Sequence, residues 1–192
     1  VSEDSSAGWE AVATRFARIR SNVGTDVIAA WSDHVRPAGT IVDIGCGTGE
    51  PIARTLVDKG FDVYGIDPAP TLLAAFRRNF LNATVACEPA EASRFFNRRF
   101  DGAVAIGLIF LLPEDAQRAL IDRVGGALEP GGHFLFSAPR QVCCWTDSLT
   151  GRPSSSLGET RYREYLTNAR LRFVDTYVDE GSNTYFHAAS EA

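Results

Sequence analysis

Three glycines at alternate positions, Gly45, Gly47 and Gly49, end an apolar run that starts at Ile41. Two acids flank them, Asp43 just upstream and Glu50 just downstream, and Pro51 stands where a helix would make its first turn. Glycine tolerates positive φ and lets a ligand approach bare backbone. A helix N-terminus behind such a turn adds unpaired N–H groups and a partial positive charge, which favours a carboxylate or a phosphate. Another acid, Asp67, closes the next apolar run, Val63-Tyr-Gly-Ile-Asp67. The dinucleotide fingerprint needs a further glycine three residues after its second. Counted from Gly47 that place is Glu50, and counted from Gly49 it is Ile52, so NAD or FAD is disfavoured.

Other side chains capable of chemistry are sparse. Cys46, Cys87, Cys143 and Cys144 lack paired zinc-type spacing, and the vicinal pair cannot form an unstrained disulfide, so no metal is expected. Reduced thiols in a cytoplasmic protein are the simplest account. His34 is expected near a helix end, His133 at the start of a strand and His187 in the last strand. All three read as structural. If a general base exists, His187, Tyr162 and Tyr165 are guesses without geometry.

The elements that must position these residues alternate in a regular way. β-branched runs predict strands over Thr40–Ile44, Asp62–Ile66, about Ala83–Ala86, Gly102–Ile106 and His133–Ser137. Between them helical periods cover about 50–59, 71–79, weakly 90–96, and 114–128. After Pro139 the regularity lapses into a loop as far as 158. A helix near 159–169 follows, then strands at about 171–178 and 183–189, whose short link forces antiparallel pairing. Residues 8–35 carry a helical period in two segments, broken near Ser21–Gly24. The reading is one α/β domain, with an N-terminal helical cap over 1–35 and a Rossmann-like core over 36–192.

With 192 residues, 45% of them hydrophobic and 22% charged, the chain can close its own core. A net charge of −5 argues weakly against a nucleic-acid partner, which would draw affinity from Lys and Arg. Arg94, Arg98 and Arg99 form a short basic cluster that reads as a solvated edge. The longest apolar run, Ala103 to Leu112, is about half of the roughly 20 residues a membrane-spanning helix needs. The polar, acidic stretch Val1 to Gly8 lacks a signal-peptide layout.

Val42-Asp-Ile-Gly-Cys-Gly-Thr-Gly49 closely resembles the glycine motif of class I S-adenosylmethionine methyltransferases. Three more segments resemble that family in order: Val63–Asp67, Phe100-Asp-Gly-Ala-Val-Ala-Ile-Gly107, and Leu128-Glu-Pro-Gly-Gly-His-Phe-Leu-Phe136. Together they cover about 35 to 140. The resemblance implies a seven-stranded, mostly parallel sheet of order 3-2-1-4-5-7-6 with the last strand antiparallel, and S-adenosylmethionine as cofactor. It implies that Asp67 binds both ribose hydroxyls, a bidentate arrangement that orients the adenosine. Asp43 would meet the methionine ammonium beside the backbone of Gly45, Cys46 and Gly47. Pro68 or Ala69 would flank one face of adenine, with the loop Glu88 to Glu91, Ala90 and Glu91 included, on the other. Ile106 belongs to the fourth-strand segment that faces the reacting groups. Two plainer roles stay open at this point: Asp43 as a carboxylate tying the turn's N–H groups together, and Asp67 as a helix cap beside Pro68.

The chemistry so implied is methyl transfer to a small-molecule acceptor by in-line displacement, which depends on positioning and needs no obvious triad. The family's DNA-directed motifs are absent: Ile106-Gly-Leu-Ile-Phe110 stands where a Pro-Pro-aromatic tetrapeptide would, and Cys143 follows Val142 rather than proline. The apolar Leu108–Leu112 mouth suggests a small substrate with some hydrophobic surface. On the family pattern Trp9, Phe16 and Arg20 close over the pocket, Arg20 reaching for a carboxylate; amphipathic packing is the plainer alternative. Two competing readings are a non-catalytic domain that keeps the fold as a ligand sensor or partner subunit, and a nucleotide-cofactor oxidoreductase.

Overall fold

The first strand, β1 (Thr40–Ile44), is buried on both faces from Ile41 onward, as a central parallel strand must be. In the computed structural model, which describes residues 6–191, it lies at the middle of a seven-stranded sheet. Its neighbours are β2 (Asp62–Ile66) on one side and β4 (Phe100–Ala105) on the other, both parallel to it. The sheet is completed by β3 (Thr84–Ala86), β5 (Leu128–Ser137), β8 (Leu171–Val178) and β9 (Thr184–Ser190). The spatial order is β3-β2-β1-β4-β5-β9-β8, with β9 antiparallel to both of its neighbours. Once the hairpin described below is set aside, this is the expected order 3-2-1-4-5-7-6. Residues Val1–Ser5 of the polar N-terminal stretch lie outside the described part.

Helices cover both faces. On one side α2 (Thr25–Ser32), α3 (Ile52–Asp58) and α4 (Pro70–Asn79) pack Trp31, Leu56 and Phe76 against Ile41, Val63 and Leu135 of the sheet. On the other, α5 (Glu114–Ala127) and α6 (Gly158–Asn168) bury Leu120, Val124, Tyr162 and Leu166 with Phe134, Phe136 and Phe186. The first helix, α1 (Trp9–Ile19), is different: it sits on α4 through Ala13, Leu72 and Ala69, with Trp9 and Phe16 packed alongside. The Glu10 carboxylate accepts from the N–H and hydroxyl of Thr71, pinning α1 to the first turn of α4.

Three stretches depart from the sequence reading. The expected loop over 139–158 contains a hairpin, β6 (Val142–Thr146) with β7 (Pro153–Leu157). Its turn is closed by Asp147, whose carboxylate accepts from the N–H groups of Leu149 and Thr150, with Gly151 at φ 70°. The weak helix at 90–96 is two short 3₁₀ turns, Ala90–Ala92 and Phe95–Asn97. Phe95, Phe96 and Asn97 all have positive φ, and Arg123 takes the carbonyls of Glu91 and Ser93 that a continuous helix would use. The fifth strand starts at Leu128 rather than His133, because Leu128 already pairs with Phe100 before the register shifts. Among the described residues no helix is long and apolar enough to cross a membrane.

Candidate active site

The glycine turn leaves β1 at the carboxyl edge of the sheet. Gly45, Gly47 and Gly49 have φ of 73°, 54° and 80°. A Cβ at Gly49 would come within 2.3 Å of the Phe80 ring and 2.8 Å of the Phe76 ring, so this glycine lets α4 pack against the turn. The N–H groups of Gly45 and Cys46 both donate to the Ile66 carbonyl, tying the turn to the end of β2. One residue on, Asp67 accepts from the Gly47 N–H through Oδ2 (2.9 Å) and from the Ala69 N–H through Oδ1 (2.8 Å). Tying the turn together is therefore the work of Asp67. Each of its oxygens has a lone pair left over.

Asp43 is the contrasting case. It is 2% exposed, and its Oδ2 has no hydrogen-bond partner in the structure. Burial pushes its pKa up to about 7, with Arg20 pulling it down and Asp67 adding to the rise. An unpaired buried carboxylate oxygen is costly, and in a cavity it asks for a cationic or hydrogen-donating ligand.

That cavity, about 270 Å³, is bounded by Asp43, Gly45, Cys46, Gly47, Asp67 and Pro68. Ile106 closes it toward the end of β4, and Trp9, Phe16 and Arg20 form its roof from α1 and the residue after it. Phe16 lies 3.3 Å from where a Gly47 Cβ would be, so the bend is roofed by an aromatic edge. Four acids reach the lining, Asp43, Glu50, Asp67 and Asp147, against one guanidinium, that of Arg20. Ala90 and Glu91 do not line this cavity. They line a smaller adjoining hollow of about 60 Å³ that shares Trp9, Gly45 and Pro68 with it.

A larger cavity of about 550 Å³ opens on the other side of Arg20, Ile106, Gly107 and Phe110, which line both. One wall is Phe110 with Trp145 of the hairpin, ring centroids 5.2 Å apart. Ser137 and Ala138 supply residues from the end of β5, and Thr184 and Tyr185 from the start of β9. Ser137 Oγ accepts from the Gly107 N–H (2.8 Å), locking the loop after β4 to β5 where the two cavities meet. Tyr185 donates to Asp179 (2.8 Å) in a buried pair, and burial, then this carboxylate, holds the phenol above its ordinary pKa.

The histidines are elsewhere. His187, fully buried, shares hydrogen bonds with His133 (2.8 Å) and Tyr177 (2.9 Å), and His34 stacks near both. Burial, then His133 and His34, pull its pKa down to about 3. His133 is four residues before Ser137, about 13 Å along β5, and none of the three lines either cavity. Tyr162 and Tyr165 are buried under α5, bonded to Gln117 and Glu114. None of the three guessed bases reaches the site. Cys143 and Cys144 are free thiols in β6. Among the described residues no group of His, Cys, Asp or Glu is arranged to hold a metal ion. Sequence reasoning missed Ser137, Trp145, Asp147 and Tyr185. The one available clue was the Asp147…Gly151 turn, which marks a hairpin but not what it faces.

A family model described as a methyltransferase domain matches residues 41–132. Carboxy-S-adenosyl-L-methionine synthase of Chromohalobacter salexigens is 32% identical over 112 residues, spanning 54% of this chain and 41% of that protein. Glycine/sarcosine N-methyltransferase of Parasynechococcus marenigrum is 26% identical over 198 residues, 91% of this chain and 69% of that one. The chain thus spans less than half of the first relative's length. In three dimensions it is similar to the 1,6-didemethyltoxoflavin-N1-methyltransferase of Burkholderia thailandensis, at a TM-score of 0.77 and 18% identity, covering 97% of this chain and 88% of that one. The sheet order and the glycine turn tied to a strand-end acid agree with the methyltransferase domain matched over residues 41–132, and in fold and motif the chain resembles the class I S-adenosylmethionine-dependent methyltransferases.

Proposed function

We propose that this chain methylates a small-molecule acceptor held in the larger cavity, with the cofactor in the acid-lined one. Asp43 carries the reading: a buried carboxylate oxygen without a partner, in a cavity lined by four acids and joined to a second, roomier one. S-adenosylmethionine, when bound, supplies a methyl group on a cationic sulfonium, whose loss leaves a neutral thioether.

The residues fit that cofactor. Asp43 offers its free oxygen to the methionine ammonium. Asp67, fixed by two backbone N–H groups, keeps lone pairs for two ribose hydroxyls. The bare backbone of Gly45, Cys46 and Gly47 would let the ligand lie close, Pro68 would flank adenine, and the adjoining hollow of Ala90 and Glu91 would border it. Ile106 and Gly107, braced by Ser137, form the shared wall across which acceptor and methyl group meet. Holding the two partners in line can supply about 7–11 kcal/mol of the barrier. Acidic lining favours a cation and keeps the electrostatics on the cofactor side. Four free cysteines support a reducing, cytoplasmic setting.

Calorimetry with S-adenosylhomocysteine tests the cofactor half. Wild type binds, and Asp67→Ala weakens binding by about 1.5–3 kcal/mol. Because Asp43 titrates near 7, binding an ammonium at pH 6.5 releases a proton, visible as a heat that depends on the buffer. Absence of binding sinks the reading; binding without product release across a broad acceptor library favours the sensor alternative.

A further inference from the structure

The larger cavity differs chemically from the one beside it. Among the described residues no carboxylate lines it, whereas Arg20 and Arg140 both do. The Arg20 guanidinium is largely buried, makes no hydrogen bond or ion pair within 4 Å to a described residue, and lies 5.9 Å from the centre of the Phe16 ring. Burial pulls its pKa down while Asp43 and Tyr185 oppose that. A buried cation left this way asks for an anion. Once Asp43 is committed to an ammonium, that anion must come from a ligand.

The other polar groups agree. Ser137 Oγ accepts from Gly107, so its own hydroxyl proton is free to be donated. Arg140 is paired with Glu159, but Glu159 also serves Arg163, so two cations share one carboxylate. The lining is rich in donors and poor in anions. Phe110 and Trp145 add an aromatic wall suited to a flat body.

Resting on the methyltransferase reading above, we infer that the acceptor is an anion, a carboxylate on a planar ring system. The ring packs on Phe110 and Trp145, and the carboxylate is taken by Arg20. The same guanidinium borders the cofactor cavity, so a carboxylate could also reach it from the methionine end, and the test separates the two sources.

The test is calorimetry on the protein saturated with S-adenosylhomocysteine. The probes are hydroxybenzoates, aminobenzoates, indolecarboxylates and quinolinecarboxylates, each beside its carboxamide. At least one carboxylate is expected to bind on the order of tenfold or more tighter than its amide. Arg20→Gln erases that preference, while Arg20→Lys keeps part of it. Trp145→Ala weakens acid and amide alike. Melting curves like the wild type's certify the variants as folded, and Arg20→Lys carries the test if Arg20→Gln does not fold. The inference is overturned if no carboxylate binds, if amides bind equally well, or if Arg20→Gln weakens S-adenosylhomocysteine tenfold and leaves the preference intact. Failure of the wild type to bind S-adenosylhomocysteine strikes the methyltransferase reading instead.

Discussion

The two cavities share a wall and are built from different kinds of structure. The acid-lined one is framed by the ends of β1 and β2, the glycine turn and α4, and its main carboxylates come from adjacent parallel strands. Asp43 and Asp67 follow directly from strand register, since the two acids end neighbouring buried runs. The larger cavity is assembled from the loop after β4, the end of β5, the β6–β7 hairpin and the start of β9. Those pieces are far apart in sequence and meet only because β9 inserts between β5 and β8. Rigid strand ends suit a constant cofactor, and grafted loops suit a variable acceptor.

The comparison predicts a hierarchy of effects. The largest belongs to Gly49→Ala, where a Cβ meets Phe80 and Phe76 at a positive φ. It should cost about 2–5 kcal/mol of stability, read from denaturant melts, and an unchanged midpoint would show that the turn is not the rigid element assumed. Next is Asp67→Ala, whose binding loss was given above; it also strands the Gly47 and Ala69 N–H groups, so the melt should shift with the affinity.

Asp43→Asn sharpens the contrast through pH. The folded pKa of Asp43, about 7, stands above its ordinary 3.8, so the wild type loses stability as pH rises from about 4 to 7. Asparagine carries no such loss. The variant should therefore be more stable than wild type above pH 7, by about 1–2 kcal/mol after the lost attraction to Arg20, with the gap closing toward pH 4. Its S-adenosylhomocysteine affinity should fall and lose its pH dependence near 7. A variant no more stable at pH 8 would mean that Asp43 already has a partner. The smallest effect is expected from Trp145→Ala: stability within about 1 kcal/mol, cofactor affinity unchanged, and only acceptor binding reduced. Loss of cofactor affinity there would join the two cavities into one functional unit.

Much of the acid-lined half was legible along the chain. Thr40–Ile44 and Asp62–Ile66 are found as strands with the expected bounds, because buried parallel strands are short apolar runs with sharp ends. Asp43, Gly45, Cys46, Gly47, Asp67, Pro68 and Ile106 come together around one cavity, whereas Ala90 and Glu91 border its annex. That segment is shaped from a distance: Arg123, about thirty residues away, binds the carbonyls of Glu91 and Ser93. The hairpin escaped notice because Pro153-Ser-Ser-Ser-Leu157 has little of the β-branched composition that marks a strand, and its pairing with Val142–Thr146 depends on the Asp147 turn.

By itself the sequence determined the alternation of strands and helices, the glycine bend and the strand-end acid, since all depend on residues close together in the chain. Tertiary structure alone decided which carboxylate is tied down and which keeps an unpaired oxygen: Asp67 holds the glycine turn, the plain role open to Asp43. It also gathered the three histidines, of which only His187 is fully buried, away from the two cavities, and brought Ser137, Trp145 and Tyr185 around one empty volume. Burial and the identity of a distant partner set a side chain's charge and availability, and neither is written in its neighbours along the chain.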